Sequence, residues 1–186
     1  MTTHIQPLLT IADLDSLPED GNRYELIDGD LYVSRAPHIN HQFAISNLLY
    51  AIKDYLNRNP IGKVIPEPGV IFSDYDAVIP DVVYVSNERF DKIVANGKFT
   101  AAPDLVIEIL SPGSENERRD RNVKRRLYSV RGVREYWIVD VHASVVEIYR
   151  PQDANLNLVA TLSGEDEITT SLLPGFICKV AKVFEI

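Results

Sequence analysis

The segment Asp104-Leu105-Val106-Ile107-Glu108-Ile109-Leu110 constrains the fold of this chain more than any other. It is almost continuously apolar instead of alternating, the pattern of a strand covered on both faces. A chain containing it must lay other elements against two sides of one sheet. Ser111-Pro112-Gly113 ends the run, and Glu108 stands inside it. Burying an unpaired carboxylate there costs several kcal/mol, so Glu108 needs a partner, a metal or a shifted pKa.

The flanking sequence predicts what covers this strand. Thr10 caps a short helix over 11–16, ended by Pro18 and Gly21. Two strand-like runs, 24–27 and 30–33, flank Asp28-Gly29, a strong hairpin signal. Ile45, Leu48, Leu49, Ile52 and Leu56 recur at helical spacing and predict a helix over 39–57 with one apolar face. Strands follow at 63–67 and 70–73, around Pro68-Gly69. Another runs over 78–85, interrupted at Pro80, which has no N–H to donate to a ladder. Ser114 with Glu117 matches a capping box and opens a helix running to about Val130, stopped by Gly132. Strands at 135–140 and 144–150, weaker ones at 157–161 and 166–170, and a short helix over 178–185 complete the reading. No repeat or linker divides the chain. The expectation is one domain over residues 1–186, of α/β or mixed α+β class, with a mostly antiparallel, bent sheet.

Composition narrows the function. Hydrophobic residues make up 45% and charged residues 25% of the 186, the mix of an ordinary globular protein. Cys178 is the one cysteine, so no internal disulfide and no zinc-type Cys/His set can form, which fits a reducing compartment. Met1-Thr2-Thr3-His4 begins no signal-peptide pattern, and no apolar run approaches the roughly 20 residues of a membrane span. A cytoplasmic protein without a membrane partner is expected. The net charge of −8 counts against nucleic acid as a partner, because phosphate binding is driven by Lys and Arg. The distribution matters more than the total, however. Arg118, Arg119, Arg121, Lys124, Arg125, Arg126, Arg131 and Arg134 cluster in one short stretch.

Candidate chemistry centres on two acids. Asp81, between Ile79-Pro80 and Val82-Val83, has a setting like that of Glu108. Two acids on two core-like strands are the minimum for a hard cation such as Mg²⁺, which keeps several waters. On the residues alone, each could instead sit at a strand end and pair with an arginine. Glu25 lies in a predicted hairpin strand, where alternation points it outward. Asp120, Lys124 and Tyr128 fall at i, i+4 and i+8 and share a helix stripe, so Lys124 either reaches inward or snorkels beside Asp120. The arginines are either a solvated face or a phosphate track. His38 and His41, spaced i, i+3, are read as a surface pair, and His4 as part of an N-terminal tail. Tyr136 and Trp137 are read as core aromatics. Ser111 and Ser114 lack a nucleophile elbow, and glycine-rich phosphate loops are absent.

Four ordered stretches, Tyr24-Glu25-Leu26-Ile27-Asp28-Gly29, Pro80-Asp81-Val82-Val83-Tyr84-Val85, 103–112 and 132–140, resemble the Uma-two family. This bacterial family belongs to the restriction-endonuclease-like, PD-(D/E)xK superfamily, and the likeness covers about residues 10–185. It implies a restriction endonuclease-like core, a bent mixed or antiparallel sheet flanked by helices, with the active site at one end of the sheet. In that pattern Asp81 is the acid of the Pro-Asp motif and Glu108 the first acid of the second motif. The lysine expected two residues later is Leu110, and Lys124 matches a lysine supplied instead by the following helix. Glu25 matches an acid that completes the metal shell.

The resemblance thus implies a metal-dependent endonuclease acting on nucleic acid, DNA foremost. Asp81, Glu108 and the main-chain carbonyl of Ile109 would hold Mg²⁺ or Mn²⁺, with Glu25 direct or through water and Lys124 beside them. A homodimer is implied by the two cuts a duplex needs. Two rivals stay open: a catalytically degenerate nuclease fold that binds DNA or a protein, favoured by Leu110 and the acidic pI, and a structural module whose buried acids pair with arginines.

Overall fold

The computed structural model describes residues 7–186, so His4 lies outside the described residues. The chain begins with α1 (Ile11–Leu14), then the hairpin β1 (Arg23–Ile27) and β2 (Asp30–Ser34). Asp28 and Gly29 join the two strands with φ of 54° and 78°, the paired positive angles of a type I′ turn whose twist matches the strands. Next come α2 (Ile39–Arg58), β3 (Gly62–Pro66), β4 (Val70–Ser73) and β5 (Asp76–Val78). They are followed by β6 (Val82–Ser86), α3 (Asn87–Ile93) and the short pair β7 (Val94–Ala95) and β8 (Lys98–Phe99). The apolar segment is β9 (Leu105–Ile109), buried along its whole length. Then follow α4 (Ser114–Arg118), a π-helical segment (Arg119–Lys124), α5 (Arg125–Arg131) and β10 (Glu135–Asp140). The chain closes with β11 (Val145–Gln152), β12 (Asn155–Ser163), β13 (Glu167–Ile168), β14 (Cys178–Lys179) and α6 (Val180–Val183).

The class is mixed α+β, and the strands divide between two six-stranded sheets, ordered β2-β1-β5-β4-β8-β7 and β12-β11-β10-β9-β6-β3, with β13-β14 as a small pair. The 78–85 run, expected as one interrupted strand, is split: Val78 ends β5 in the first sheet, and Val82 onward forms β6 in the second. Pro80 stands at the crossing, where the chain must leave one hydrogen-bond ladder before it joins the next. In the second sheet β9 lies at the centre, parallel to β10 and antiparallel to β6.

Both faces of that sheet are covered, as its central strand requires. Leu105, Ile107 and Ile109, with Val82, Tyr84, Trp137 and Val139, pack against Ala44, Leu48 and Ile52 of α2. The alternate residues Val106 and Leu110, with Val83, Val85, Tyr136 and Ile138, pack against Ile27, Val70 and Val78 of the first sheet and Leu127 and Tyr128 of α5. Each fully buried Leu, Ile or Val contributes roughly 1.5–3 kcal/mol. Side chains alternate along a strand, so Glu108 shares the face of Val106 and Leu110 and points toward the first sheet and α5.

Three local expectations are corrected. Gly113, not Ser114, is the N-cap of α4; its φ of 115° suits glycine, and no side chain caps that helix end. The helix expected to run evenly to about Val130 contains the π-helical segment before it ends at Gly132 in the left-handed conformation. The C-terminal helix is shortened to α6 because Cys178 and Lys179 pair with β13. Among the described residues no helix is long and apolar enough to cross a membrane.

Candidate active site

Asp81 follows the sheet crossing and is 2% exposed. Its Oδ2 accepts from the backbone N–H of Ile109 at 2.8 Å and faces His41 Nε2 at 3.2 Å, while Oδ1 accepts from Arg23 at 3.0 Å. Burial alone would raise its pKa, but the His41 hydrogen bond and charge, with Lys124 and Arg23, hold the carboxyl down at about 2. Asp81 is therefore an anion in a buried setting, which only this ring of donors permits.

Glu108 behaves in the opposite way. It is 2% exposed, and its Oε1 accepts from Lys124 Nζ at 3.0 Å and from the Tyr128 hydroxyl at 2.7 Å. Burial pushes its carboxyl up to about 8; Lys124 opposes this, and Asp81, Asp120 and Glu25 add to it. Glu108 lies in a cluster where Lys124 faces Glu25, Glu108 and Asp120, and Arg119 bonds Asp120.

Lys124 is 1% exposed, with Nζ 3.0 Å from Glu25 Oε1, 3.0 Å from Glu108 Oε1 and 3.9 Å from Asp120 Oδ1. Burial disfavours its charge, but the three acids outweigh that and raise its pKa. Asp120 and Lys124 are the buried residues of the π-helical segment, and the Asp120 backbone carbonyl accepts from the Tyr136 hydroxyl at 3.1 Å. Such π turns widen a helix and are frequent at functional sites. Burial also pushes the Asp120 carboxyl up, against Lys124 and Arg119. Arg119 bonds Asp120 through Nε at 3.1 Å and the Ser34 hydroxyl at 2.7 Å.

Asp81, Glu108, Ile109 and Lys124 line one cavity of about 30 Å³, together with Arg23, His41, Arg35, Arg119, Asp120 and neighbouring residues. This volume is about one water's share of liquid. A far larger cleft of about 780 Å³ lies between α2 and residues 174–185 and contains none of the candidate acids. Glu25 stands behind the cavity instead of lining it: its Oε1 accepts from Ile79 N–H at 2.8 Å and holds Lys124. Alternation pointed Glu25 outward, yet it is 1% exposed, because the second sheet covers the face it shares with Arg23 and Ile27.

His41 corrects the surface-pair reading. It is 4% exposed and packed on Asp81, whereas His38 caps α2 by accepting from Asn40 N–H at 3.3 Å. Nothing in the sequence near His41 signals this, since Asp81 comes from a strand far along the chain. Arg23 was also missed, although it sits two residues from Glu25 on the same strand face. Several arginines of the basic cluster are engaged by acids of other elements: Arg121 by Asp140 and Glu147, Arg131 by Asp76, and Arg134 by Asp104.

Two mixed sheets flanked by helices, with the candidate acids at the junction of the sheets, define a restriction-endonuclease-like fold. Over 95% of this chain and 97% of the other, the fold matches a crystal structure described as that of "a putative nuclease belonging to DUF820 from Anabaena variabilis", with TM-score 0.77 and 21% identity. Residues 11–181 match the Uma2 family, described as "Putative restriction endonuclease", and the chain belongs to that family. No curated protein matches it.

Proposed function

We propose that this protein is a divalent-cation-dependent endonuclease hydrolysing nucleic-acid phosphodiester bonds, with DNA the foremost substrate. One observation carries the reading: Asp81 and Glu108, both nearly inaccessible, face the same cavity with Lys124 held against Glu108. Family membership supports the nuclease class.

The donors suit Mg²⁺ or Mn²⁺. Among the described residues no group of three or more His, Cys, Asp or Glu is placed to hold a metal ion. Mg²⁺ does not need one, since it is commonly held by one or two carboxylates plus waters and substrate phosphate. Asp81, Glu108 and the Ile109 carbonyl would hold the cation, and both hydrogen bonds to Glu108 go to Oε1, leaving Oε2 for it. A cation bound there supplies Lewis acidity, lowering the pKa of water and offsetting charge on phosphoryl oxygens. Lys124 supplies a fixed positive charge beside the reacting phosphate. Glu25, held against Lys124 behind the cavity, would act as a positioning residue through it.

The test is cleavage of supercoiled plasmid, single-stranded DNA and RNA with Mg²⁺, Mn²⁺ or EDTA. Asp81→Ala and Glu108→Ala should each abolish metal-dependent cleavage while the protein stays folded. Retained cleavage in both variants would sink the proposal. A homodimer, needed for paired cuts in a duplex, and a cytoplasmic location belong to the same reading; light scattering checks the first.

A second reading is favoured by a specific observation. Both Asp81 oxygens and Glu108 Oε1 already have protein partners, as in a degenerate nuclease fold that binds DNA or protein without cutting. Calorimetric titration with Mn²⁺ separates the two, because a degenerate site shows no affinity that depends on Asp81.

A further inference from the structure

The two oxygens of Asp81 are held differently. Oδ2 is fixed by the Ile109 backbone N–H, which belongs to the central strand and cannot leave. His41 Nε2 lies on the same oxygen. Oδ1 is held by a side chain alone, Arg23, at 3.0 Å. The carboxylate is thus pinned against rotation by one oxygen, and Oδ1 is the atom that can change partner.

Arg23 is built to be that partner temporarily. Its side chain is 23% exposed, against 3% for Asp81 and 1% for Lys124. It also lines the cavity. It has acceptors elsewhere: its second terminal nitrogen pairs with Glu67, which is 45% exposed, and its first also reaches the Ile79 carbonyl at 3.3 Å. Releasing Oδ1 therefore leaves the guanidinium still bonded at the cavity rim. Lys124 has no such outlet, enclosed by three carboxyls. A guanidinium and a divalent cation compete for Oδ1, because like charges at contact distance repel strongly in a poorly solvated site.

Resting on the metal-dependent reading of this cavity, we propose that Arg23 is an exchangeable counter-ion, holding Asp81 Oδ1 in the metal-free protein and yielding it when a divalent cation binds. Arg23 holds the oxygen of this buried carboxylate that Ile109 N–H and His41 leave to it, and by the same contact it competes with the cation. The exchange weakens metal affinity in return for a folded metal-free state.

Mn²⁺ titration by calorimetry on metal-free wild type, Arg23→Met, Arg23→Lys and Arg23→Met with Asp81→Asn tests this, with thermal unfolding run on each. Arg23→Met should bind Mn²⁺ at least tenfold tighter than wild type, Arg23→Lys should fall between, and the double variant should lose the site. Equal or weaker binding in a folded Arg23→Met overturns the exchange and leaves the metal-dependent reading standing. Binding by Arg23→Met but not by wild type supports the exchange in its strongest form while removing metal dependence from the natural protein. No binding in either overturns both.

Discussion

Replacing Glu108 with Gln in the metal-free protein should change how stability depends on pH in a calculable way. Burial raises the Glu108 carboxyl from an ordinary value of 4.5 to about 8. Below pH 4.5 the group is protonated in both folded and unfolded chains, and its contribution to stability is fully present. Between 4.5 and 8 the unfolded chain releases the proton and the folded chain keeps it, so stability is lost as pH rises. At about 1.36 kcal/mol per pH unit, the interval amounts to about 5 kcal/mol. Gln keeps the shape and an oxygen to accept from Lys124 and Tyr128, but it has no proton to exchange. Urea unfolding of both proteins in EDTA, at half-unit steps from pH 4.5 to 8.5, should show wild type losing about 5 kcal/mol relative to the variant. For a chain of this length that corresponds to about 10–20 °C in Tm. Asp81 works in the opposite sense and outside this window: its carboxyl, held at about 2, contributes stability above 3.8 that is lost as pH falls through 2. A difference between the two proteins that is flat or rises from pH 4.5 to 8 would refute a buried, proton-bearing Glu108.

Three further outcomes are expected. Lys124→Met should destabilise by about 3–5 kcal/mol in urea unfolding, because Glu25 and Glu108 lose their shared cation, and adding Glu108→Gln should recover part of the loss. Mn²⁺ affinity should rise with pH up to about 8, by as much as tenfold per unit, since the cation must displace the Glu108 proton; calorimetry at pH 6, 7 and 8 reads this directly. Ile107→Ala, on the opposite face of the same strand and 0% exposed, should cost about 2–5 kcal/mol without altering Mn²⁺ affinity in the folded protein, which the same two measurements check.

The sequence by itself determined several of the local elements and singled out Asp81 and Glu108 as the candidate acids. The apolar run at 104–110 carried the pattern of a doubly covered strand, and Asp28-Gly29 that of a tight hairpin turn. Helical spacing marked α2, and Gly132 marked the end of α5. Glu108 was conspicuous because a charge within an apolar run is costly wherever that run folds. Periodicity reports which face of an element is apolar, not what lies opposite it. Glu25 read as outward because alternation cannot reveal that a second sheet covers that face. His41 read as a surface residue because its partner, Asp81, lies 40 positions away and meets it only when α2 packs on β6 and β9. Pro80 announced an interruption, but only the tertiary structure turned that interruption into a crossing between sheets. Lys124 lay on a recognisable stripe with Asp120 and Tyr128, and all three are buried, but the stripe could not say that Glu25 and Glu108 would be the carboxylates it meets. Charge partners are chosen by assembly: the arginines that looked like one basic surface are distributed among acids of other strands, because each buried carboxylate must find a cation wherever packing brings one near.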